Sequence, residues 1–335
     1  MLRHMLGHAD IFVCPSCRGD LKIDEDRIEC LKCHHYYQFQ DDIPLLFLPG
    51  HAGMDKKDVE PAVKSFYEGA PFPNYEEFEN TGDLLRKAGK NFFARLLNEQ
   101  LPFNIRVLEV GCGTGQLSNF LGVAQRVIFA TDMSISSLKL GQDFRKRNNL
   151  ERVGFYQMNL FRPIFREESF PFVICNGVLH HTGNPFAGFK AISRLVQKGG
   201  YILVGLYNRY GRITTDIRRI IFKISNDRFK FLDPRLRGNE RSDLRKEIWF
   251  RDQYKNPHES RHTIGELLKW FEQTGFDFVN AIPKLSAFEP FSDNEQLFKP
   301  NPRGGWFDHF IAQACMVFTG NKEGEVFLMV GRKRF

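Results

Sequence analysis

The stretch Val107-Leu-Glu-Val-Gly-Cys-Gly-Thr-Gly115 decides the reading of this chain: a short apolar strand ends in a GxGxG turn, and residues 116–121 continue as a helix. Glycines in such a turn let the backbone approach a ligand closely, and the helix that follows offers free N–H groups at its start. The spacing separates this turn from a dinucleotide fingerprint, which would need glycine at position 116, where the chain has Gln116. Glu109 lies two residues before the first glycine. An acid at that point accepts hydrogen bonds from an amino group and favours a cationic ligand over a pyrophosphate.

Outward from the turn, apolar runs alternate with helical patterns. RVLEV (106–110), RVIFATD (126–132), GFYQMNL (154–160), FVICN (172–176) and YILVGL (201–206) read as strands, and residues 116–121, 134–147 and 185–196 as helices. Continuous apolar strands separated by helices imply a parallel sheet covered on both faces. Residues 276–282 and 326–332 read as two further strands, which makes a doubly wound α/β sheet of seven. Asn184 is placed as an N-cap with Pro185 at the first helical position, and Thr263 with Glu266 as a capping box. Asp132, twenty-one residues after Gly111, ends the second strand, where a carboxylate can accept both hydroxyls of a ribose. Asn159 closes the third strand, positioned for an adenine edge, and Asn176 ends the fourth. Polar groups at these strand tips converge on one crevice.

EVGCGTG (109–115), ATDMS (130–134), NGVLHHT (176–182) and VQKGG (196–200) together resemble the class I S-adenosylmethionine-dependent methyltransferases, particularly the quinone-biosynthesis branch. The resemblance covers roughly residues 104–206 and implies the Rossmann-like methyltransferase fold. It implies that Glu109, Gly111, Gly113 and Gly115 face the methionine part of the cofactor, Asp132 the ribose and Asn159 the adenine, with Met133, Leu160 and Asn176 beside them. Many relatives carry Asp where this chain has Asn159, and asparagine still pairs with adenine. Methyl transfer from a sulfonium is a displacement on an activated carbon, so alignment and exclusion of water supply most of the catalysis. An acceptor that needs deprotonation requires a base, and His180 and His181 are the candidates by position. Asp308 and His309 are secondary candidates.

Four of the seven cysteines form two pairs, Cys14/Cys17 and Cys30/Cys33, twelve residues apart, while Cys112, Cys175 and Cys315 stand alone. Two such knuckles present four thiolates to one tetrahedral Zn²⁺, with no open position for chemistry, so the expected role is structural. A segment this short buries too little apolar surface to fold without the metal. The intervening LKIDEDRIE (21–29) reads as a hairpin. CPSC, the second pair and DDIPLL (41–46) resemble the small zinc ribbons that activate methyltransferases in trans, fused here in cis.

The expected organisation is a zinc ribbon over 1–49; a linker, lid segment and N-terminal helix over 50–103; a cofactor core over 104–206; a basic helical insertion over 207–262; and the C-terminal part of the domain, with an aromatic-rich insertion, over 263–335. One helix is expected over 83–98, preceded by a bent loop at SFYEGAPFPNYEEFE (65–79). Phe66, Tyr67, Phe72 and Tyr75, with Phe288, Phe291, Phe298, Trp306, Phe307 and Phe310, lie in two segments that the resemblance implies form a lid over the cofactor. Between residues 207 and 261 there are fifteen Lys and Arg against eight Asp and Glu, an excess equal to the net +7 of the whole chain. Arg209, Arg212, Arg218, Arg219, Arg235, Arg237, Arg241 and Arg245 dominate that segment, which suits RNA phosphates, an anionic ligand, a cover over a substrate pocket or, at residues 218–223, an amphipathic surface helix.

With 42% hydrophobic and 26% charged residues, the composition is that of a folded globular protein. The longest charge-free stretch, 169–189, contains Asn176, His180, His181 and Asn184 with Pro171 and Pro185, so it is no transmembrane span. The first residues lack a secretory apolar core, and a cytoplasmic protein is expected. The leading reading is a methyltransferase of a small or quinone-like acceptor, with RNA second. The alternatives are a non-catalytic S-adenosylmethionine-binding adaptor and a transferase of another alkyl group.

Overall fold

In the computed structural model, residues 2–50, 59–71, 75, 78–237, 242–286, 292, 294–323 and 325–335 are described. The first element, α1 (Leu2–Leu6), has no periodic signal; it is held because Met5 and His4 insert into the protein. Tyr156 donates its hydroxyl to His4 Nδ1 at 2.7 Å, and His4 Nε2 donates to the Arg152 carbonyl at 3.1 Å. Burial, reinforced by His8, pushes the His4 imidazole down to about 3, so it is neutral.

The ribbon consists of β1 (Leu21–Ile23), β2 (Arg27–Cys30), β3 (Tyr36–Gln40) and β4 (Ile43–Pro44), antiparallel and in that order. The hairpin read from LKIDEDRIE pairs Leu21 with Cys30 and Ile23 with Ile28. It does not stand apart from the rest of the protein. Phe12, Ile28, Tyr37 and Leu46 share one apolar core with Phe129, Phe165 and Phe170. Val13 donates to the Ile164 carbonyl at 2.8 Å, and Leu45 bridges Gln157 in parallel.

Next comes α2 (Glu60–Gly69), a helix where the bent loop was expected to begin. The single helix expected over 83–98 is two, α3 (Thr81–Lys90) and α4 (Phe92–Gln100). Asn91 explains the break: its extended backbone ends α3, while its side-chain oxygen accepts the Ala94 N–H at 3.0 Å and so caps α4.

The remaining elements are β5 (Arg106–Val110), α5 (Gln116–Val123), β6 (Val127–Asp132), α6 (Ile135–Arg147), β7 (Val153–Gln157), β8 (Phe170–Asn176), α7 (Pro185–Ser193), β9 (Val196–Tyr207), α8 (Ile213–Ile224), α9 (Asp243–Lys255), α10 (Ile264–Gln273), β10 (Phe276–Ile282), α11 (Trp306–Glu323) and β11 (Val326–Lys333). The sheet order is β10-β11-β9-β8-β5-β6-β7, with β5 to β9 parallel and β11 antiparallel to both its neighbours. This is the Rossmann-like, doubly wound sheet of seven strands. Alternate residues of each strand feed the cores on its two faces: Leu108 and Phe129 on one, Val107 and Ile128 on the other. From β5 the chain steps outward through β6 to β7, then returns to β8 on the opposite side of β5. A crevice opens at such a reversal, beyond the carboxyl ends of the strands.

Among the described residues of the aromatic-rich insertion, none lines the cavity at the strand ends. Phe298 packs edge-on against Phe172 and Tyr201 of the sheet, and Trp306, Phe307 and Phe310 are exposed on α11. Asp308 accepts the Gly305 N–H at 2.7 Å, and His309 Nε2 donates to the Arg303 carbonyl at 2.8 Å. These two candidates therefore shape the start of α11. Phe72, Arg241, Phe288 and Phe291 lie outside the described residues.

Candidate functional site

Beyond the ends of β5, β6 and β8 lies a cavity of about 700 Å³, within the range of small-molecule sites. One side is the glycine turn. Gly111 has φ +71°, and a Cβ on it would fall 2.3 Å from Val178, so only glycine lets the turn pass under the β8 tip. Gly113, at φ +55°, directs its N–H to Asp132 Oδ2 at 2.9 Å. Ser134 N–H donates to the other Asp132 oxygen at 2.9 Å. Burial still raises the Asp132 carboxyl above its ordinary range, against these bonds. Glu109 is buried beside it and accepts the Ser118 hydroxyl; burial pushes its carboxyl up to about 7, with Asp132 adding to the shift.

Of the residues expected at a cofactor, Glu109, Gly111, Gly113, Asp132, Met133, Leu160 and Asn176 line the cavity. Gly115 and Asn159 are not among its lining residues. Gly115, at φ +71°, caps α5, and a Cβ there would meet the Phe155 ring at 2.3 Å, so the need for glycine is a packing need. Asn159 lies two residues past the end of β7 rather than closing it. Its amide donates to the Leu48 carbonyl at 2.9 Å and to Glu60 Oε2 at 2.9 Å, which pins the ribbon's exit to α2.

The two histidines are adjacent on one 3-10 turn, their rings 4.3 Å apart and both against Tyr207. His181 lines the cavity; its Nδ1 donates to the His258 carbonyl at 2.9 Å, which fixes the tautomer and leaves Nε2 as the basic atom. Burial lowers its pKa, so the ring is neutral and able to take a proton. His180 is not among the lining residues. Its Nδ1 accepts the Tyr207 N–H at 3.2 Å, its ring lies 3.9 Å from that of Tyr207, and burial followed by the neighbouring His181 holds its pKa well below 6.5.

The cavity is also lined by the segment expected to cover a substrate pocket and by Tyr67 of the expected lid, although Trp249, Asp252 and Gln253 were not singled out from the sequence. Trp249, Asp252 and Gln253 of α9, with Arg235, face Tyr67 of α2 and Tyr207. Tyr67 donates its hydroxyl to Asp252 Oδ1 at 3.1 Å and receives Asn256 at 3.0 Å; burial and Asp252 hold that hydroxyl protonated. The Arg235 guanidinium stacks 4.4 Å above Trp249. Trp249 and Asp252 are three apart on one helix, the only local signal that they share a face.

Much of the basic insertion's charge is spent internally. Arg212 is fully buried, paired with Glu259 at 2.6 Å and Glu325 at 3.2 Å, and lies 3.9 Å over the Tyr207 ring. Arg219 also binds Glu259, at 2.9 Å, and Arg261 binds Asp216. These pairs tie α8 to β11 and to the segment before α10.

The four ribbon cysteines bring their sulfurs within 4.8 Å of one another, with Cys14 to Cys33 at 3.7 Å and Cys17 to Cys30 at 3.4 Å. A tetrahedron of 2.3 Å Zn–S bonds needs sulfurs about 3.8 Å apart, so the set fits zinc. Backbone N–H groups of Ser16 and Cys33 point at Cys14 and Cys30 Sγ at 3.4 and 3.5 Å. His34 and His35 are not part of the cluster.

Residues 82–281 match the model of a family described as a methyltransferase domain. An uncharacterized protein of Synechococcus sp. is 26% identical over 200 residues, 52% of this chain and 48% of that protein. The ubiquinone biosynthesis O-methyltransferase of Acinetobacter baumannii is 25% identical over 138 residues, 38% of this chain and 58% of that enzyme. The chain thus spans about half the length of the curated relatives it matches. Among solved structures, a SAM-dependent methyltransferase from Methanosarcina mazei is similar with a TM-score of 0.45 at 14% identity, covering 72% of this chain and 97% of that one.

Proposed function

The chain belongs to the methyltransferase-domain family, and from that premise we propose that it is an S-adenosylmethionine-dependent methyltransferase of a small, largely apolar, quinone-like acceptor. The observation that carries the reading is the cavity's mixed lining: the strand-tip acids Glu109 and Asp132 together with the aromatic side chains of Tyr67, Tyr207 and Trp249. Similarity to ubiquinone biosynthesis O-methyltransferases supports the acceptor class. S-adenosylmethionine, when bound, supplies a methyl group already activated by its sulfonium.

In this reading Glu109 receives the cofactor's amino group, the turn at Gly111 and Gly113 lets the backbone close on it, Asp132 accepts the ribose hydroxyls, and Met133 and Leu160 flank the base. Asn176 lines the cavity at the β8 tip. Tyr67, Tyr207 and Trp249 exclude water from the acceptor end, and His181 takes the acceptor's proton at Nε2. Residues 207–262 act as the acceptor's cover, and residues 1–49 as a ribbon held by structural Zn²⁺ on Cys14, Cys17, Cys30 and Cys33. The internal pairing of Arg212, Arg219 and Arg261 disfavours RNA as the acceptor. The open cavity beside His181 disfavours the adaptor reading.

Incubation with methyl-labelled S-adenosylmethionine and a cell extract, followed by organic extraction and nuclease digestion, tests this. Label in the organic fraction is the expected result. Nuclease-sensitive label overturns the acceptor class, and no label overturns the activity.

A further inference from the structure

Helix α8 is fixed on one side and unused on the other. Its Phe222 packs on Phe250 and Tyr254, and Thr215 donates to Glu325 at 2.6 Å, so the orientation of the helix is set. On the opposite side Ile213, Ile217, Ile220 and Ile224 are 41%, 53%, 60% and 81% exposed. Their i, i+4, i+7, i+11 spacing puts them within about 60° of one another around the axis. Exposed Tyr210 precedes this stripe, and exposed Phe229 and Phe231 follow it.

The rim is cationic. Arg209, Lys223 and Arg228 are exposed, and among the described residues none has an acidic partner. The acids nearby are already neutralised, Asp216 by Arg219 and Arg261, and Asp227 by Lys255. An aliphatic stripe rimmed by uncompensated cations is complementary to an apolar layer lying under anionic headgroups. RNA would leave the isoleucines in water, and a second copy of this face would set like charges against each other.

We infer that α8 docks on an anionic bilayer surface, immersing Ile213, Ile217, Ile220 and Ile224 in the plane of the headgroups while Arg209, Lys223 and Arg228 meet lipid phosphates. Twelve residues of helix span about 18 Å, too short to cross, and among the described residues no helix is long and apolar enough to do so. The helix therefore lies on the surface. The inference does not depend on the reaction proposed above.

Flotation of the full chain with vesicles of phosphatidylcholine and phosphatidylglycerol tests it, with pure phosphatidylcholine vesicles as control. The native chain is expected to float with the anionic vesicles, and less so as salt rises. The double variant Ile217→Ser/Ile220→Ser should lower partitioning by at least about tenfold. Its thermal unfolding should match the native chain, since both positions are exposed. Failure of the native chain to float, equal flotation of the double variant, or a lipid-free dimer that the double variant dissolves overturns the inference.

Discussion

Replacing Glu109 with Gln probes the electrostatics of the cavity directly. The carboxyl is buried, and its pKa is pushed from 4.5 up to about 7. Between those values the folded chain holds a proton that the unfolded chain has released, so stability falls as pH rises through the window. The cost is about 1 kcal/mol at about pH 5.5 and about 3 kcal/mol at about pH 8. Glutamine has no charge to desolvate and keeps an oxygen for the Ser118 hydroxyl. The ligand-free variant should therefore gain on the native chain by about 2 kcal/mol between the two pH values, or roughly 3 °C in Tm. Thermal unfolding of both proteins across this range is the assay. The native protein's affinity for S-adenosylmethionine should rise over the same window as the carboxylate forms, and the variant should bind more weakly with no such rise. Parallel stability profiles for the two proteins refute the reasoning about Glu109.

Asp132→Ala should weaken S-adenosylmethionine binding by at least about tenfold in calorimetry, through the loss of charge-assisted hydrogen bonds, with little change in far-ultraviolet circular dichroism. Chelation of the ribbon's metal should strip amide protection from residues 12–48 while β5, β6 and β8 stay protected, as read by hydrogen exchange. Acid should loosen α1: with His4 held at about 3 rather than 6.5, stability is lost as pH falls below about 6.5, amounting to about 2 kcal/mol at about pH 5. His4→Gln should abolish that part of the pH dependence of unfolding.

The sheet was legible because its strands are runs of buried residues whose ends are marked by glycines and acids; β10 falls on residues 276–282 as read. The break at Asn91 was hidden by an apolar period that continues through it, although the signal, an amide side chain three residues before Ala94, was local. His180 and His181 could not be told apart. They are adjacent in sequence and both pack against Tyr207, and only the course of a 3-10 turn leaves His181 rather than His180 on the cavity. The count of basic residues in the insertion likewise could not reveal that Arg212 is sealed between Glu259 and Glu325, because the latter acid comes 113 residues later. Asp252 joins Tyr67 across 185 residues, which no local pattern records.

The position of β11 bears on how the protein is made. Residues 326–333 fill an interior place in the sheet, and β10 joins β9 only through them. A ribosome therefore releases β10, with Phe276, Val279 and Ala281 destined for burial, before its partner exists. Until β11 emerges, β9 also presents an unpaired edge along Tyr201 to Tyr207. The nascent chain thus carries two open strand edges that only its own later residues can close, and a chaperone that shields such edges during synthesis would have its work defined by that gap.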